Sequence, residues 1–81
     1  MTHAEIRAVV DEELLRIAPE VDVAHLAPSV ALRDQVDLDS MDWLNLLIAL
    51  HKRLGVDIPE ADYATLVTLD ALVAYLRARL P

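Results

Sequence analysis

Asp39-Ser40-Met41-Asp42-Trp43-Leu44-Asn45-Leu46-Leu47-Ile48-Ala49-Leu50-His51-Lys52-Arg53-Leu54-Gly55 is the stretch whose pattern decides the fold class. At about 100° per residue, Trp43, Leu47, Leu50 and Leu54 fall on one side of a helix, flanked by Leu44, Leu46 and Ile48. Asp42, Asn45, Ala49, Lys52 and Arg53 share the opposite arc. That is a wide apolar face and a narrow wet one. Asp39 precedes the run as an N-cap, with Asp42 in the first turn behind it. Gly55 stands where helices end in a left-handed residue. The stretch predicts an amphipathic helix from about Ser40 to Leu54, with Ser40 at its first position and its hydroxyl free to face solvent.

Toward the N-terminus, Thr2 and Glu5 have the spacing of a capping box. Ile6, Val9, Val10, Leu14 and Ile17 follow at helical intervals, predicting a helix over residues 3–17 that Pro19 stops. Residues 18–38 contain Pro19 and Pro28 and keep no period. Their scattered apolar residues, Val21, Val23, Leu26, Val30, Leu32 and Val36, predict a connection packed down across the helices. Connections this long in a small domain are uncommon and often functional. Beyond Gly55, Pro59 heads a short helix over about 60–65. Thr68 caps a last one, with Leu69, Leu72, Val73, Leu76 and Leu80 as its apolar stripe and Arg77 and Arg79 at its C-terminal end. The expected fold is an all-α four-helix bundle, three longer helices and one short, forming one domain over residues 1–81.

Composition agrees. The 81 residues are 56% hydrophobic with a single Gly, the profile of a folded helical chain with one small core. Phe is absent and aromatics are 4%, so that core must be aliphatic. The lack of Cys excludes disulfides and thiolate metal sites and fits a reducing cytosol. A net charge of −7 argues against nucleic acid and for basic partner surfaces. Glu5, Asp11, Glu12 and Glu13 read as neither a signal nor a transit peptide. No apolar run reaches the ~20 residues that cross a bilayer. The expectation is a cytoplasmic monomer without membrane insertion.

The chemistry centres on Ser40, with Asp39, Met41 and Asp42 as its immediate setting. Acids surround it and no base stands near it, a poor arrangement for a nucleophile. The Gly-rich elbow of a serine esterase is missing, so no catalytic residue is assigned. His3, His25 and His51 are scattered without metal-ligand spacing, and no metal site is expected. A serine modified by another enzyme fits better. A phosphodiester on Ser40 would meet unpaired N–H groups and the positive end of the helix dipole. The carboxylates oppose it weakly through screened water, and could hold a divalent cation while the group is transferred. Taken alone, however, Asp-Ser-apolar reads as simple helix capping.

Context changes that reading. Leu38-Asp39-Ser40-Met41-Asp42 leads an apolar helix, followed by Leu54-Gly55-Val56-Asp57-Ile58-Pro59-Glu60 and by Leu66-Val67-Thr68-Leu69-Asp70-Ala71-Leu72-Val73-Ala74-Tyr75-Leu76. In order and spacing, across roughly residues 36–78, these segments resemble the acyl carrier protein family. The resemblance implies a four-helix carrier in which a phosphopantetheinyl transferase attaches 4'-phosphopantetheine from coenzyme A to Ser40. The arm's thiol then holds acyl groups as thioesters for lipid, fatty-acid or polyketide metabolism, supplied by an acyl ligase or acyltransferases. An aminoacyl or D-alanyl carrier loaded by an adenylating ligase is the alternative that the same motif allows.

Three features depart from the family pattern. Asp37 and Leu38 stand where Gly is common, predicting a stiffer approach to Ser40. The Ser40 helix, usually acidic in fatty-acid carriers, shows Asn45, His51, Lys52 and Arg53 with only Asp42 as an acid. That points to a specialised carrier with its own ligase or transferase. Trp43 lies one turn from Ser40, either packed in the core or partly filling the cavity that shelters an acyl chain. Met41 is expected partly exposed or in the core at the helix start. His51 is expected partly buried with its hydrogen bonds satisfied, and Lys52-Arg53 a solvated helix end.

Overall fold

A computed structural model describes residues 1–81. Its long helices are α1 (His3–Ile17), α3 (Ser40–Leu54) and α4 (Leu69–Arg79), with a short α2 (Leu32–Gln35) between the first two. Turns of 3-10 helix occupy Val23–His25 and Glu60–Thr65. The expected all-α bundle is present, and the loop before α3 contains two helical turns that periodicity did not show.

Each long helix starts where a side chain satisfies an otherwise unpaired N–H. Thr2 and Glu5 close a reciprocal capping box at α1, with Oγ1 of Thr2 accepting from the Glu5 amide at 3.2 Å. The Thr68 hydroxyl accepts from the Ala71 amide at 3.0 Å to open α4. Gly55 ends α3 at φ +68°, its N–H returning to the carbonyl of His51 at 2.9 Å. A β-carbon there would touch nothing within 4 Å, so the backbone angle alone requires glycine.

The core is aliphatic apart from Trp43. α1 packs against both α3 and α4. Ile6, Val10 and Leu14 meet Leu46 and Leu50 of α3 and Leu72 and Leu76 of α4 in one cluster of fully buried side chains. The predicted face of α3 is buried at Trp43, Leu47 and Leu50, and the flanking Leu46 is as deep as Leu50; the correction falls on the other flank. Ile48 lies about 200° around the helix from both Leu46 and Leu50 and therefore emerges, 39% exposed. Leu44 and Leu54 are half-buried at the margins.

The connection over 18–38 is packed down as expected, with Leu32, Val36 and Leu38 buried; Val30 alone of the named apolar residues is exposed. Gln35 stitches it together. Its Oε1 accepts from the Ala27 amide at 2.7 Å, while Nε2 donates to the carbonyls of Ala27 and Val30 at 2.9 and 3.0 Å. An isolated bridge between Ala31 and Thr68 then ties the segment to the start of α4, the Leu32 amide donating to the Val67 carbonyl at 2.7 Å.

Arg53 corrects a second expectation. It is no free helix end: it pairs with Glu12 and with the buried Glu13, at 3.3 Å for the latter, and so clamps α3 to α1. His51 is half-exposed, the partial burial expected of it, and its Nδ1 is satisfied by the Val56 carbonyl at 2.8 Å.

Candidate functional site

The approach to Ser40 alternates in and out. Val36 and Leu38 are buried, whereas Asp37 and Asp39 face solvent. Leu38 is held from both sides, its amide donating to the Val36 carbonyl at 2.9 Å and its carbonyl accepting from Nε of Arg33 at 3.0 Å. The segment leading to the serine is thus anchored at every second residue.

Asp39 is the N-cap of α3, and with Asp42 it forms a second capping box. The Asp42 amide donates to Oδ1 of Asp39 at 2.8 Å, and the Asp39 amide donates to Oδ2 of Asp42 at 3.4 Å. The Asp39 carboxylate is thus engaged as a cap, which frees the neighbouring hydroxyl. Ser40 occupies the first helical position, is exposed, and hydrogen-bonds to nothing in the chain through its side chain. Met41 is 62% exposed beside it, resolving its expected environment in favour of solvent. The four consecutive predicted residues therefore divide into a cap pair, Asp39 and Asp42, and an exposed pair, Ser40 and Met41.

No base activates Ser40. His51 lies eleven residues along the same helix, about 16 Å away by helical rise, and is bonded elsewhere. His25 pairs with Asp22. No group of three or more His, Asp or Glu side chains converges anywhere as a metal site.

One turn further along α3, Trp43 is 9% exposed and walls a cavity of about 260 Å³. The other walls are Ala31, Arg33, Tyr63, Ala64 and Val67. Trp43 thus belongs to the core cluster, as the first reading expects, and also lines a cavity. Arg33 and Tyr63 went unrecognised in the sequence, because they reach Trp43 from α2 and from the 3-10 turn before α4.

Residues 4–76 match the family described as "Phosphopantetheine attachment site". The chain belongs to the acyl carrier protein family. Among its relatives, the acyl carrier protein of Helicobacter pylori (strain G27) is 31% identical over 72 residues, 89% of this chain and 86% of that one. That of Helicobacter hepaticus is 29% identical over 77 residues, 95% of each chain. The meromycolate extension acyl carrier protein of Mycobacterium tuberculosis (strain H37Rv) is 27% identical over 77 residues, 95% of this chain and 66% of that protein.

The carrier's prosthetic group is accordingly 4'-phosphopantetheine, whose thiol supplies the thioester linkage to cargo. The residues present fit it. An exposed, unbonded hydroxyl stands at a helix mouth where the Ser40 and Met41 amides have no partner within the helix. Asp39 and Asp42 are already committed to the cap, so they do not compete for the serine hydroxyl.

Proposed function

We propose that Ser40 is the attachment residue of this carrier and that residues 1–81 act as one monomeric carrier domain. The observation that carries this reading is the free, exposed hydroxyl at the first position of α3, inside the span that matches the family. Ser40 acts as an acceptor only. Its Oγ forms the new bond to phosphorus as the pyrophosphate linkage of coenzyme A breaks; the adenosine-bearing phosphate departs, and a phosphopantetheinyl transferase removes the serine proton. Asp39 and Asp42 hold the helix mouth open for that attack, and Met41 offers an adaptable apolar contact to the enzymes that visit. The cytoplasm, where coenzyme A is made and used, is the compartment this reading assigns.

The same reading makes the carrier a specialised one. Beyond Ser40 the exposed side chains of α3 are Met41, Asn45, Ile48, His51, Lys52 and Arg53, and the one acid, Asp42, is half-buried in its cap. A partner that recognises carriers by an acidic helix finds little to hold there. A dedicated ligase or acyltransferase suits this surface better than the enzymes of general fatty-acid synthesis.

The test is intact-mass analysis after incubation with coenzyme A, magnesium and a broad-specificity phosphopantetheinyl transferase. The chain has two serines, Ser29 and Ser40, and Ser29 lies in an exposed turn outside the helices, beside the start of α4. Wild type and Ser29→Ala should each gain one arm, and Ser40→Ala none. A chain that stays bare, or an Ser40→Ala variant that is still modified, overturns the assignment.

A further inference from the structure

The cavity beside Trp43 has an uneven chemistry. Its walls are apolar except for one guanidinium, that of Arg33, and no carboxylate lines it. This is notable in a chain of 14 acids and 7 Lys and Arg, with Asp34, Asp37, Asp39 and Asp42 all close in sequence. Arg33 is fixed rather than free. Its Nε donates to the Leu38 carbonyl at 3.0 Å, while its terminal nitrogens form no ion pair or hydrogen bond within the chain. The phenol of Tyr63 is likewise without a hydrogen-bond partner.

We propose that this cavity receives the far end of a short acyl cargo carrying a terminal carboxylate, with Arg33 as its counter-ion; the inference rests on the Ser40 reading above. Trp43 is three residues after Ser40, so one wall of the cavity stands a single helical turn from the attachment point. Its volume, about 260 Å³, falls just below the range of about 300–1,000 Å³ that holds drug-sized ligands, which suits a chain of a few carbons. Methylene groups pack against Trp43, Ala64 and Val67. Arg33 is exposed at the rim of these walls, and a guanidinium presents paired N–H donors in the geometry a carboxylate accepts. An uncharged chain leaves Arg33 unused. A cargo ending in ammonium meets a cation with no acid in the cavity to offset it.

The experiment uses Trp43, the only tryptophan, as its reporter. The carrier is loaded from coenzyme A thioesters with glutaryl, pentanoyl or ω-aminopentanoyl groups, which share a five-carbon backbone and differ in terminal charge. Acrylamide quenching of Trp43 and amide chemical shifts at Ala31, Ala64 and Val67 are then measured. The glutaryl form should reduce the quenching constant at least about twofold relative to the other two, an effect that weakens as salt rises. Arg33→Gln should remove the difference and Arg33→Lys should keep part of it. Equal responses from the three cargoes, a larger response to pentanoyl or aminopentanoyl, or a glutaryl response that survives Arg33→Gln overturns the cargo assignment. Intact mass is read in parallel. A chain that never takes an arm overturns the Ser40 reading and this one with it, whereas a loaded chain indifferent to terminal charge overturns this one alone.

Discussion

Asp39 and Ser40 are neighbours with opposite bonding. The Asp39 carboxylate accepts the Asp42 amide at 2.8 Å, and the Ser40 hydroxyl engages nothing in the chain. Removing the two side chains should therefore affect folding differently. Asp39→Ala deletes a cap worth about 1 kcal/mol, enough to lower Tm by roughly 4–8 °C in a domain of this size. Ser40→Ala should change stability by less than about 0.5 kcal/mol. Thermal melts followed by far-UV circular dichroism distinguish these outcomes, and equal losses in the two variants would contradict the division of roles. Trp43 poses a related question of volume. Because it both fills the core and walls the cavity, Trp43→Ala should let longer acyl chains be sheltered. The truncation itself costs about 3–5 kcal/mol, so Trp43→Leu is the companion variant that keeps the fold. Chemical shifts in carriers loaded with acyl chains of increasing length should keep changing to greater lengths in these variants than in wild type. Identical length dependence would show that Trp43 sets no limit.

Among the elements, the connection before α3 depends on one side chain more than on any other. Gln35 makes its three hydrogen bonds to Ala27 and Val30 from within the short α2. Gln35→Ala should cost about 2 kcal/mol, as net hydrogen bonds of about 0.5–1.5 kcal/mol each are lost. Amide hydrogen exchange should speed up most at Ala27 and Val30, while the core amides of α1 speed up only by the loss of global stability. Uniform acceleration across the whole chain would mean that the segment opens only with global unfolding. This segment also marks where sequence reasoning stopped. α1, α3 and α4 could be read in full, because Thr2, Asp39 and Thr68 announce their starts, Gly55 announces an end, and leucines repeat at helical intervals between. The turn at Val23–His25 carries only the Asp22 cap, with no apolar period behind it, and Leu32–Gln35 has no side-chain cap at all. Distant bonds hold them, from Arg7 to the Val23 carbonyl at 2.8 Å and from Ala31 to Thr68, between residues too far apart for any period to record. The site divides in the same way. Asp39, Ser40, Met41 and Asp42 are consecutive and were legible together, whereas Arg33, Trp43 and Tyr63 meet only after folding. Arg53 was misread for the same reason, since its partners Glu12 and Glu13 lie forty residues away on α1.

At the scale of the whole molecule, charge sets how stability responds to pH. A net charge of −7 leaves the folded chain under self-repulsion, which added salt screens. Two local groups then bound the pH range. Backbone and hydroxyl hydrogen bonds from Thr2 hold the Glu5 carboxyl below its ordinary 4.5. Its contribution is therefore present above that value and is lost as pH falls through the lower folded one. Tyr75 works at the other end. Its hydroxyl donates to Oδ2 of Asp62 at 2.6 Å, joining α4 to the 3-10 turn, and that bond raises its pKa above the ordinary 10.0, with desolvation adding in the same direction. The folded chain then holds the phenolic proton more tightly than the unfolded one. The bond's contribution is complete below pH 10.0 and declines as pH rises through the folded value. Tm measured from pH 7 to 11 at fixed ionic strength should therefore fall on the alkaline side. Tyr75→Phe, which has no proton to lose, should start lower at pH 7 and fall less steeply. Repeating the series at high salt separates this from general repulsion, because screening lifts both proteins alike while the difference in slope persists. Parallel curves for the two proteins at both ionic strengths would show that the contact between Tyr75 and Asp62 does not couple this fold to alkaline pH.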